Sequence, residues 1–139
     1  MARVLVIDDD PAVRSVIQLV LEREGHAITV ASDGRAGLKA LDAGAIDLLI
    51  VDIFMPGMDG LETIRAVRAK HAELPVIVIS GSSIFSSSEP APDFLMMAIK
   101  LGAVRGLRKP FRPGDLVDAV HDCLGAADRP QRCGNEQAG

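Results

Sequence analysis

Three carboxylates, Asp8, Asp9 and Asp10, follow the apolar run Val4-Leu5-Val6-Ile7. A single carboxylate, Asp52, closes the run Leu48-Leu49-Ile50-Val51, and the breaker cluster Met55-Pro56-Gly57 comes soon after it. Ser80 ends the run Val76-Ile77-Val78-Ile79, and Lys109 stands before Pro110-Phe111. Clustered carboxylates repel one another unless a cation sits among them. A site with few carboxylates and room for several waters suits a hard divalent cation, Mg²⁺ above all. A hydroxyl and an ammonium close by would bind an anion. Phosphoryl transfer needs such a set: the metal and Lys109 neutralise charge on the transferring group while a carboxylate attacks phosphorus. The product would be an aspartyl phosphate.

Strand ends must position these residues. The apolar runs are aliphatic and β-branched, as in strands buried on both faces of a parallel sheet. Asp52 then sits at the carboxyl end of a central strand, where open α/β sheets place their ligand sites. The first strand spans 3–7. Asp10-Pro11 opens a helix as N-cap and first helical residue. Val13, Val16, Ile17, Val20 and Leu21 share one face of it, and Gly25 ends it. A strand over 26–31 follows, then a helix begun by Asp33-Gly34, with Leu38 and Leu41 inward and Gly44 near its end. The 48–51 strand leads to a helix over 59–71 with Leu61, Ile64 and Val67 on its apolar side, and to a strand over 75–79. Residues 82–92 are rich in Ser and Pro and read as a loop. A helix over 93–101, a weak strand over 104–108 and a helix over 113–124 complete the pattern. Five strands alternating with helices predict an α/β fold, a doubly wound parallel sheet covered on both faces. Residues 1–125 form one domain in this reading. Residues 126–139 are polar and aperiodic and read as a disordered tail.

Bulk properties narrow the function. A net charge of −4 gives no support for binding nucleic acid or an anionic membrane. The chain has no Trp or Tyr and so no platform for stacking bases. Cys123 and Cys133 lack metal-ligand spacing. Cys123 fits the apolar side of a helix, and Cys133 falls in the tail. A reducing, cytoplasmic setting is the simpler reading. Residues 1–4 enter a strand at once, so no secretory leader is expected, and no apolar run is long enough to span a bilayer.

From about residue 3 to 124 the pattern resembles the receiver domain of two-component response regulators. The resemblance implies that Asp8 and Asp9 are an acidic pair holding Mg²⁺ and that Asp52 is the phospho-acceptor and a third ligand. Phe54 would add its backbone carbonyl to the metal. Ser80 would be the hydroxyl residue of the switch, with Ser in place of the commoner Thr. Lys109 would be the Lys of the Lys-Pro motif, with a cis peptide at Pro110. The implied sheet order is flavodoxin-like, 2-1-3-4-5. A histidine kinase or a histidine phosphotransfer protein would supply the phosphoryl group. The domain catalyses only its own phosphorylation and dephosphorylation, and is otherwise no enzyme. Two features depart from the family. Gly106 stands where many receivers carry Tyr or Phe, and the 80–102 segment is longer than usual.

Plainer readings weigh differently at each residue. Asp10 reads as an N-cap. Asp52 alone would be a turn residue, and Lys109 alone a surface lysine; their company raises both. His26, His71 and His121 make no metal motif and read as surface or edge residues. Phe94, Met97 and Leu101, spaced by three and four, form an apolar face beside the core-facing stripe of the 93–101 helix. That face would widen the core contact, or serve as an output surface for an unknown downstream protein or a homodimer. With no further domain after residue 124, the leading expectation is a stand-alone receiver. A receiver-fold binding module that works without phosphorylation is the alternative. A phosphohydrolase of other ancestry would need a general acid near Asp52, which Ile53-Phe54 does not supply.

Overall fold

Leu48, Leu49, Ile50 and Val51 have no exposed surface. A strand can bury every side chain only at the centre of a sheet with a layer on each face. The computed structural model describes residues 2–53, 60–81, 105–109 and 111–128, with backbone alone at 80, 81, 108, 109 and 125–128. Its elements are β1 (Arg3–Ile7), α1 (Pro11–Arg23), β2 (Ala27–Ala31), α2 (Gly34–Ala43), β3 (Leu48–Asp52), α3 (Gly60–Lys70), β4 (Val76–Gly81), β5 (Arg105–Lys109) and α4 (Pro113–Asp128). The strands form one five-stranded sheet of order β2-β1-β3-β4-β5. Every neighbouring pair is parallel. This is the doubly wound, flavodoxin-like order that the resemblance implied.

The pleat divides the core in two. Val4 and Val6 of β1, Leu48 and Ile50 of β3, and Ile77 and Ile79 of β4 pack with Ile17 and Leu21 of α1 and with Leu116, Ala119, Val120 and Cys123 of α4. Leu5, Ile7, Leu49, Val51, Val76 and Val78 face the other way, onto Leu41 of α2 and Ile64 and Val67 of α3. Each fully buried aliphatic side chain contributes about 1.5–3 kcal/mol. Alternation with a period of two thus sorts neighbouring residues of one strand into opposite layers. Cys123 lies in the first layer, where burial pushes its thiol up to about 11. It is core, as its helical position suggested.

Local chemistry sets the helix ends. Asp10 caps α1, its Oδ1 accepting the Ala12 N–H at 2.9 Å, and Pro11 follows at the first helical position. Asp33 caps α2 the same way, accepting from Ala36 N–H at 2.8 Å. At the end of α1, Gly25 takes a φ of +92°, which L side chains rarely adopt. The turn lets the N–H groups of Gly25 and His26 reach Glu22 and Leu21 carbonyls at 3.0 and 3.2 Å. Arg68 closes α3: its Nη1 donates to the carbonyls of His71, Ala72 and Leu74. An ion pair between Arg105 and Asp122 ties β5 to α4.

Three expectations need correction. Val16 does not face inward with Ile17 and Leu21; it is 49% exposed, because the contact stripe of α1 is narrower than its apolar face. His26 is not a surface residue. It is buried, its Nδ1 accepting the Ala2 N–H at 3.2 Å and its ring meeting His121 edge-on at 6.2 Å. The last helix runs on to Asp128, past its expected end at residue 124 and into the start of the expected tail. Gly125 is followed by Ala126-Ala127, and alanine is the best helix former. The 82–92 loop, the 93–101 helix and residues 129–139 lie outside the described residues. Among the described residues no helix is long and apolar enough to cross a membrane.

Candidate functional site

The carboxyl ends of β1 and β3 lie side by side. Register pairs Ile7 with Val51, so the next residues, Asp8 and Asp52, leave adjacent strands at one level. Both continue the alternate positions that face α1 and α4, which brings their carboxylates to the same side of the sheet. Asp8 has no exposed surface and Asp52 is 3% exposed, whereas Asp9 turns outward. One carboxylate oxygen from each of Asp8, Asp9 and Asp52 lies within 4.8 Å of the other two. The three acids singled out from sequence therefore meet.

Asp8 is held from several sides. Its N–H donates to the Ala31 carbonyl of β2 at 3.1 Å, extending the β1–β2 ladder by one bond. Its Oδ1 accepts the Asp10 N–H at 2.9 Å. Its carbonyl accepts Nη1 of Arg14 at 2.8 Å. The same Asp10 whose N–H reaches Asp8 caps α1, so the strand end and helix start form one hydrogen-bonded turn. Asp10 is the cap that its place before Pro11 suggested.

Asp52 is set by β3 and backed by α3. It pairs with Ile79 of β4, and the Ile53 N–H continues the ladder to the Ile79 carbonyl at 2.9 Å. Gly60, the first residue of α3, donates its N–H to the Ile53 carbonyl at 2.9 Å. A Cβ at Gly60 would lie 2.3 Å from the Asp52 carbonyl oxygen and 2.5 Å from Ile53 Cα. Only glycine lets the helix start this close to the strand that carries Asp52.

The donor set fits a hard cation. All its oxygens are carboxylate oxygens, which suit Mg²⁺ and not a soft thiolate-seeking metal. Their close approach is unfavourable among like charges and is relieved by a divalent ion. Beside them the parallel register brings two more strand ends: Ser80 pairs with Arg108, and Gly81 with Lys109. The backbones of Ser80 and Lys109 thus lie at the carboxyl ends of β4 and β5, the end of the sheet that carries Asp8 and Asp52. Phe54, Pro110, Phe94, Met97 and Leu101 lie outside the described residues.

Two residues of this site have no signal in the sequence pattern. Arg14 is an ordinary helix residue by type and spacing; its partner is a backbone carbonyl, which no letter of the sequence marks. Gly60 reads as a loop former. Its closeness to the Asp52 backbone appears only when the register of β3 against α3 is known.

Comparison with known proteins gives a consistent answer. The family model for the response regulator receiver domain matches residues 4–121. The chain is 35% identical to the transcriptional regulatory protein CpxR of Escherichia coli K12, over 89% of this chain and 50% of CpxR. It is 30% identical to the transcriptional regulatory protein FixJ of Bradyrhizobium diazoefficiens, over 90% of this chain and 58% of FixJ. The chain thus spans about half the length of the curated relatives it matches. Among solved structures, the chemotaxis protein CheY4 of Vibrio cholerae superposes with a TM-score of 0.77 at 29% identity, over 89% of this chain and 99% of that one. The receiver domain of NtrX from Brucella abortus gives a TM-score of 0.79 at 31% identity, over 88% of this chain and 98% of that one.

Proposed function

Because the chain belongs to the response regulator receiver domain family, we propose that it is a phosphoryl-accepting switch with Asp52 as the acceptor. Receiver domains are signalling domains that interact with histidine kinases or phosphotransfer proteins. The observation that carries the reading is the buried Asp52 carboxylate at the end of β3, with Asp8 and Asp9 within 4.8 Å of it. An oxygen of Asp52 attacks the phosphorus of a phosphohistidine donor. The P–N bond breaks, a P–O bond forms, and the departing imidazole takes up a proton. Asp8, Asp9, Asp52 and the Phe54 carbonyl would hold Mg²⁺. When bound, the ion supplies positive charge to the oxygens of the transferring group. The Ser80 hydroxyl and the Lys109 ammonium would take the phosphoryl oxygens once they are on Asp52.

In this reading the receiver extends to the end of α4 at Asp128 and works in the cytoplasm, and its output is protein–protein contact. The face carrying Phe94, Met97 and Leu101 is the surface that a downstream protein or a second copy would use, given its apolar spacing.

Incubation with a small acyl phosphate and Mg²⁺, followed by intact mass, tests the assignment. The wild type is expected to gain one base-labile phosphate. Asp52→Asn keeps the shape but has no carboxylate nucleophile, and is expected to gain none. Undiminished incorporation in Asp52→Asn overturns the reading, and no adduct on the wild type favours a module that works without phosphate.

A further inference from the structure

Arg14 lies in the first turns of α1 and reaches back six residues, its Nη1 2.8 Å from the carbonyl oxygen of Asp8. That carbonyl belongs to a residue without exposed surface. It lies one position past Ile7, where the pairing of β1 with β2 and β3 stops. A buried carbonyl beyond the ladder needs a donor, and the guanidinium supplies it. Two further ties on Asp8 come from backbone: its N–H to Ala31, and the Asp10 N–H to its Oδ1. The Arg14 tie comes from a side chain of α1, a helix seated in the core by Ile17 and Leu21. Through it the helix grips the residue that heads the acidic cluster.

We infer that Arg14 is the positioning residue of this site, fixing the main chain of Asp8 so that its carboxylate can share a divalent cation with Asp9 and Asp52. The inference rests on the Mg²⁺-binding reading above. Arg14 acts on that site in two ways of opposite sign. Its positive charge opposes the approach of a cation. Its grip on Asp8 keeps a ligand in place. Arg14 is half-buried as a residue, so solvent partly screens its charge. Partners that orient metal ligands, by contrast, typically carry about 10–100-fold in metal affinity. The grip is the larger effect.

The sign of one measurement therefore decides. Mg²⁺ is titrated calorimetrically into the full chain, and the metal-free melting temperature is recorded alongside. Arg14→Ala is expected to bind Mg²⁺ about 10-fold more weakly than the wild type although a positive charge has been removed. Arg14→Lys keeps an N–H donor and the charge, and is expected to recover most of the affinity. A role in stability alone would lower the melting temperature and leave the affinity of the folded protein unchanged. If Arg14→Ala does not fold, Arg14→Gln, too short to reach the Asp8 carbonyl, is read in its place. Variants that bind Mg²⁺ as tightly as the wild type, or more tightly, overturn the inference and leave the site standing. A wild type that binds no Mg²⁺ overturns the reading of the site, and the inference with it.

Discussion

Asp8 and Asp9 are neighbours in sequence and opposites in setting. Asp8 is buried and fixed by hydrogen bonds at its N–H, carbonyl and carboxylate. Asp9 is exposed. Removing the Asp9 carboxylate therefore disturbs little of the fold while taking a ligand from the cluster. Asp9→Ala is expected to stay within about 0.5 kcal/mol of the wild type without metal, or slightly above it, since one repelling charge is gone. It is expected to lose most of the Mg²⁺-dependent rise in melting temperature, because a hard cation loses an anionic oxygen. Equal Mg²⁺-dependent shifts in the two proteins would take Asp9 out of the site. The acids were legible in the sequence because residue type and place coincide: each follows an aliphatic run that can only be a buried strand. Arg14 and His26 were not. Their partners are the Asp8 carbonyl and the Ala2 N–H, backbone groups that every residue type carries.

Glycines show how much an element can depend on one missing side chain. A Cβ on Gly37 of α2 would fall 2.2 Å from Ile7 Cδ1, and one on Gly60 of α3 would fall 2.3 Å from the Asp52 carbonyl oxygen. The distances are alike and the consequences are not. Ile7 can change rotamer, whereas Gly60 meets only the backbone of Asp52 and Ile53. Gly60→Ala must move α3 or the end of β3. It is expected to cost about 1–3 kcal/mol in denaturant unfolding. It should also slow phosphate addition to Asp52 under conditions where the variant remains folded. Gly37→Ala should cost less and leave that rate near the wild-type value. A Gly60→Ala variant with wild-type stability and rate would show that the contact has slack. At this scale most boundaries were legible: Asp10-Pro11 and Asp33-Gly34 announced α1 and α2 because capping acts within a few residues. The end of α4 was not, since glycine at 125 suggests a stop that neighbouring alanines override.

The whole molecule carries a stability that depends on pH through its far pole. Burial first, then the charges of the N-terminus and of His121, hold the His26 imidazole below its usual 6.5, while Glu24 pulls the other way. Its Nδ1 accepts the Ala2 N–H, so protonation there would set one donor against another. The unfolded chain takes up that proton more readily than the fold does. His26 therefore contributes stability that is complete above pH 6.5 and is lost as pH falls from there through its lower folded value. The His121–Glu24 contact, 3.9 Å long, is exposed, and such surface pairs are worth little. Denaturant melts on either side of pH 6.5 are expected to show a smaller acid loss in His26→Gln than in the wild type. Equal losses would remove His26 as the cause. The sheet order was not derivable from periodicity, which gives the strands and not their neighbours. It came from the match between the Asp8-Asp9, Asp52, Ser80 and Lys109 constellation and a known family.

The pleat that splits the core also acts as a reading frame. One residue inserted between Val4 and Ile7 would do more than lengthen β1. It would exchange the layers of every side chain beyond it and turn Asp8 away from Asp52 toward α2 and α3. Two inserted residues would restore the layer but carry the carboxylate about 7 Å farther along the strand axis. The turn at Gly44, after α2, has no such constraint, since a Cβ there meets nothing within 4 Å, whereas Asp47 is already tied to Arg3 of β1. Among descendants of this chain, insertions and deletions should therefore collect in its turns, while the count of residues from strand start to acid in β1 and β3 stays fixed.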